Sequence, residues 1–155
     1  MTSNDTAIVA TIRDRDQVLT FVIRMMAPFE HEQWLLRALR LRVNNADAVE
    51  ADYLEAVEVL IKNGPMALIM TGDTGAFDVM DTLLGCCFLV TEKGEEPCTR
   101  ELLDETVQDV RTLMALKKLA MKHNMSAISP EGVSSLPPAF LGRDICEYME
   151  GRRHE

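Results

Sequence analysis

Aromatic side chains are scarce in this chain: five phenylalanines, two tyrosines and one tryptophan make up 5% of 155 residues. Leucine, valine, alanine and ten methionines carry the apolar load instead. That mix disfavours a sandwich or barrel, which draws on β-branched and aromatic residues, and points to helices. Long apolar runs are missing too. The longest charge-free stretches of the central region, residues 63–72 and 82–91, are ten residues each, against the ~20 that a membrane-spanning helix needs. The opening residues, MTSNDTAIVATIRDRD, lack a basic segment followed by an apolar one, so no secretory signal is expected. Cys86, Cys87, Cys98 and Cys146 include no pair at CxxC spacing, which leaves buried thiols in a reducing cytoplasm as the plain reading.

The common catalytic signatures are absent as well. No GxxxxGK[ST], GxGxxG or GxSxG occurs. Glu30-His31-Glu32 starts like a zinc-protease helix, but the second histidine would have to stand at position 35, which is Leu35. His123 and His154 fall at a helix end and in the tail, and neither has zinc-site spacing.

What is present begins with charge. The net charge of −9 is uneven: residues 1–44 sum to +1, residues 45–110 to −12 and residues 111–155 to +2. An acid block between two nearly neutral ends suits solubility or a basic partner. It disfavours non-specific binding to nucleic acid or anionic membrane.

The densest apolar stretch, Pro65 to Val90, contains only three charges, Asp73, Asp78 and Asp81. From Gly75 on it reads as a helix that is apolar on nearly every face, which belongs at the middle of a bundle. Before it, Asp14 with Gln17 in the capping-box position opens a helix through VLTFVIRMM. A second runs over about 29–43, and a third over ADAVEADYLEAVEVLIKN until Asn63-Gly64-Pro65 stops it. Met66 to Met70 fits one helical turn or a brief strand. Thr99 caps a long helix over about 100–123. The expected fold class is therefore all-α: a single bundle of about six helices around a buried helix at about 75–91, with little or no sheet. The domain layout is a helical core over 1–125, a Pro/Ser-rich loop over 126–138, and a short C-terminal helix with a polar tail over 139–155 docked on the same domain.

Asp73-Thr74-Gly75-Ala76 matches the core of the aspartic-protease signature. That enzyme class is built from sheet and needs two such aspartates, whereas a helix N-cap after a glycine break uses the same residues. The N-cap reading is preferred, with Asp73 or Thr74 capping and Phe77, Met80, Leu84 and Cys87 buried. Asp73, Asp78 and Asp81 are weak candidates for a divalent cation; no metal or cofactor is assigned. Arg37, Arg40 and Arg42 are the candidates for a helical DNA-binding regulator, an alternative that the acidic balance disfavours. A metal-dependent enzyme using the three aspartates ranks third.

The favoured function is a non-enzymatic acidic protein-binding module, a regulator, inhibitor, adaptor or chaperone, working through an apolar methionine-rich helix face. Methionine is flexible enough to line grooves that accept partner helices. The first helix carries apolar residues on several faces, so Val22, Met25, Met26, Phe29 and Trp34 are the expected partner-binding residues. Another protein, or a second copy in a homodimer, is the expected partner.

Overall fold

The computed structural model describes residues 7–44, 53–126 and 128. Its first elements are strands. β1 (Ile8–Asp14) and β2 (Gln17–Ile23) form an antiparallel hairpin in which Asp14 faces Gln17 and Ile8 faces Ile23. β3 (Cys87–Thr91) pairs with β2, and β4 (Gly94–Pro97) pairs with β3, giving a four-stranded antiparallel sheet in the order β1-β2-β3-β4. The all-α expectation is thus overturned: the protein combines this sheet with six helices among the described residues.

The reason lies in the apolar run of β2. Val18 to Ile23 is apolar at nearly every position, so it satisfies a helical period and an alternating one together. In the sheet, Leu19, Phe21 and Ile23 turn toward the helices and Val18, Thr20 and Val22 toward the opposite face, where Val22 is nonetheless covered; Phe21 and Ile23 are wholly buried. β-Branched and aromatic residues favour that outcome. Asp14 and Gln17 form no capping box and instead close a two-residue turn through Arg15, whose φ is 58°.

The central stretch departs from expectation for the same reason. α4 (Gly75–Thr82) stops early, a 3-10 turn covers Leu83–Cys86, and Cys87 begins β3. The run CFLVT alternates, with Cys87 and Leu89 buried against the core and Phe88 and Val90 turned outward. Of the residues expected to be buried there, Met80 and Cys87 are, Leu84 is half-buried, and Phe77 is 61% exposed.

The remaining helices are α1 (Pro28–Asn44), α2 (Tyr53–Asn63), α3 (Pro65–Ile69), α5 (Arg100–Thr106) and α6 (Val110–Met125). Gly64 ends α2 with φ 61°, a left-handed conformation that costs glycine nothing, and Pro65 then starts α3 at its first position. Met66 to Met70 is accordingly a helical turn. Thr99 caps α5, its hydroxyl accepting from the Leu102 amide at 3.2 Å. The single long helix expected over 100–123 is two, broken at Val107–Asp109. The expected start of the third helix before Tyr53, and the loop and C-terminal helix expected beyond Ile128, lie outside the described residues.

α6 replaces the 75–91 stretch as the organising element. It touches β1 and β2, the 3-10 turn, and both α2 and α3, so it is common to the sheet and the helical layer. Leu116, Ala120 and Met121 along it have no exposed surface. α1 packs on α2, α3 and α4. Trp34, the one tryptophan, is buried there, and its indole N–H donates to the Val79 carbonyl at 2.9 Å. Burying a large apolar side chain of this kind contributes about 1.5–3 kcal/mol.

Candidate functional site

Two polar clusters lie inside the fold among the described residues, and each is accounted for by it. Asp14, at the end of β1, is completely buried. Its carboxylate accepts from the Thr112 hydroxyl at 2.7 Å, the Gln108 amide at 2.8 Å, the Asp109 amide at 2.9 Å and the Gln17 carboxamide at 2.7 Å. Gln17 also donates to the Thr106 carbonyl at 2.8 Å. Burial opposes the charge, but the four donors outweigh it and bring the carboxyl from 3.8 down to about 2. This cluster locks the β1–β2 turn to the start of α6. It also explains the break between α5 and α6, because the amides of Gln108 and Asp109 are committed to Asp14 rather than to a helix. With every lone-pair direction engaged, the carboxylate has no capacity left for a substrate or metal.

Asn124 is the second cluster. Its Oδ1 accepts from the Met26 amide at 2.8 Å, and its Nδ2 donates to the Ala120 carbonyl at 2.9 Å and lies 3.4 Å from the Cys86 sulfur. Cys86, Cys87 and Cys98 are buried free thiols. Contact with Cys86 and burial push the Cys87 thiol up, and burial pushes Cys98 up to about 12. The neighbouring Cys87 thiol moves Cys86 the other way. Cys87 and Cys98 are therefore packing residues, protonated and poorly nucleophilic.

The expected partner-binding residues do not share one surface. Val22, Met26 and Trp34 are buried, Met25 is half-buried, and only Phe29 stands out, 82% exposed at the start of α1. Among the arginines, Arg37 is exposed and Arg40 half-buried, while Arg42 is half-buried with Nη1 donating to the Ala67 carbonyl at 3.3 Å. The helix α1 thus uses one of its three arginines to hold α3.

The three aspartates have different surroundings. Asp73 accepts from the Gly75 amide at 2.8 Å, turning the chain into α4, while Thr74 stands at the N-cap without a side-chain cap bond. Asp78 is exposed, and Asp81 pairs with Lys117 at 2.6 Å. Among the described residues no group of three or more His, Cys, Asp or Glu is placed to hold a metal ion. The Asp73-Thr74-Gly75-Ala76 run leads from the α3–α4 loop into α4 and follows no strand.

Among the exposed apolar side chains is a set on α3 and its C-cap residue Met70. Met66, Ile69 and Met70 stand at i, i+3 and i+4, one side of a helix, while Ala67 and Leu68 are buried on the other. Met70 is 73% exposed, and Phe77 stands out from the neighbouring α4. Sequence reasoning misses this face because the surrounding stretch looks like core throughout. Its signal is the pairing of small Ala67 with one leucine as the only inward residues of a five-residue helix. No helix among the described residues is long and apolar enough to cross a membrane. Comparison with models of protein families, with curated proteins and with solved structures finds no match to this chain.

Proposed function

We propose that the protein is a cytoplasmic protein-binding module, and that its contact surface is the methionine-rich face of α3. The observation that carries this reading is the exposure of Met66, Ile69 and Met70 together on one helix face. Solvent-facing large apolar residues gathered in one place are the usual mark of an interaction site, and thioether side chains adapt to the partner. In sequence, these residues fall within the acid block over 45–110, at −12, a charge that favours a basic amphipathic helix as the partner. Three buried free thiols suit a reducing compartment.

The test is site-specific photo-crosslinking in cells with the crosslinker at Met70 and, as control, at exposed Lys93. A partner captured from Met70 alone, and lost on Met66→Asp with Met70→Asp while the far-ultraviolet circular dichroism is unchanged, supports the reading. Equal capture from both positions, or capture indifferent to the aspartates, sinks it.

A further inference from the structure

The two edges of the sheet are unequal. β4 is four residues long, Gly-Glu-Glu-Pro, with two acids and a terminal proline, and its Glu95 is tied to Arg24 at 2.7 Å. Those are the features that natural sheets use to keep an edge from pairing. β1 has fewer of them, its charges confined to Arg13 and the buried Asp14 at one end. It is seven residues, IVATIRD, with no proline, glycine, lysine or bulge.

Its register with β2 decides which groups are free. A two-residue turn makes Asp14 and Gln17 a hydrogen-bonded pair, so by antiparallel alternation Asp14, Ile12, Ala10 and Ile8 direct their amides and carbonyls to β2. Val9, Thr11 and Arg13 direct theirs to the other edge, which pairs with no strand among the described residues. These three residues are symmetric about Thr11. An antiparallel copy of β1 with Thr11 facing Thr11 satisfies all of them at once, with Val9 of each chain facing Arg13 of the other.

We propose that β1 is the seam of a two-fold dimer in which the sheets of two copies join edge to edge into eight antiparallel strands. The pairing keeps side-chain faces in step. Ala10 and Ile12 continue the helix-covered face, while Val9, Thr11 and Arg13 continue the outer one, where Val9 is 68% and Val18 63% exposed. Charge fits this occupant. β1 lies outside the acid block, and the register sets each Arg13 against a valine stem with its counterpart four residues away. A strand pair of this length falls short of the roughly 800 Å² per partner of a standard interface, so the dimer is reversible and concentration-dependent. This surface is separate from the α3 face, and either assignment stands without the other.

Sedimentation velocity of the full chain over a concentration series tests it. The expected result is a mass rising from one chain to two. Val9→Lys sets an ammonium against Arg13 of the second copy in both symmetric contacts and weakens association by about tenfold or more. Adding Arg13→Glu to it converts those contacts to opposite charges and restores the dimer. Thr11→Pro removes an edge-facing N–H that β2 does not use, a position where a sheet tolerates proline, and also yields a monomer. A monomer at every concentration overturns the proposal, as does a dimer that ignores Val9→Lys and Thr11→Pro. Slow, concentration-independent exchange of the Val9, Thr11 and Arg13 amides also overturns it, since the edge would then be filled within one chain.

Discussion

Asp14 is the residue whose role departs most from its appearance in the sequence. As a helix cap it would have satisfied one or two amides beside it in the chain; as found, it reaches across more than ninety residues to Gln108, Asp109 and Thr112. Its carboxyl titrates below the usual range, so the stabilisation it brings is complete above the unfolded value near 3.8 and disappears as the pH falls through about 2. Asp14→Asn keeps the shape but presents an NH₂ to a site made only of donors. We expect its melting temperature to lie clearly below that of the parent protein at neutral pH, with the gap closing between pH 3.8 and about 2. Thermal melts across that range check this; a gap independent of pH would separate the effect from ionisation. The aspartate and its neighbour Gln17 are both legible as hydrogen-bonding residues at a turn. Their partners are not, because nothing local marks Thr112 as the hydroxyl that will meet them.

At the level of elements, the helices with a single polar side are legible and the all-apolar segments are not. α1 and α2 show one wet face each, with glycine or proline at an end, and their types follow from spacing alone. The runs at Val18–Ile23 and Cys87–Thr91 have no such face. They become strands because each supplies the other with a partner: Phe21 faces Leu89 and Ile23 faces Cys87. A strand obtains its backbone hydrogen bonds from elsewhere in the chain, whereas a helix makes its own. The hairpin also carries a testable cost. Arg15 sits at φ 58°, a left-handed conformation that disfavours a side chain with an ordinary Cβ. Arg15→Asn, which tolerates that region, is expected to stabilise the protein by about 0.5–1 kcal/mol in urea unfolding. A loss of similar size would mean that the arginine's own contacts outweigh the strain.

Over the whole molecule, α6 joins the sheet to the helices. It is packed against both, and it is bonded to β1 through Thr112 and to the segment after β2 through Asn124. Trp34 lies on α1 and is bonded to α4, so its fluorescence reports first on the packing of these helices. Thermal unfolding followed by Trp34 fluorescence and by far-ultraviolet circular dichroism is expected to give coincident transitions; separate midpoints would show that sheet and helices melt independently. Taken by itself, the sequence determined the single-sided helices, the breaks at Gly64 and Pro65, the cap at Thr99 and the acid block, because all of these are set by interactions within a few residues or by composition. Only the tertiary structure decided that the two all-apolar runs are strands, that Asp14 divides the last long helix in two, and that Phe77 and Met70 face solvent while Val22, Met26 and Trp34 do not. Burial belongs to pairs of surfaces, and which surface meets which is written in contacts between residues far apart in the chain.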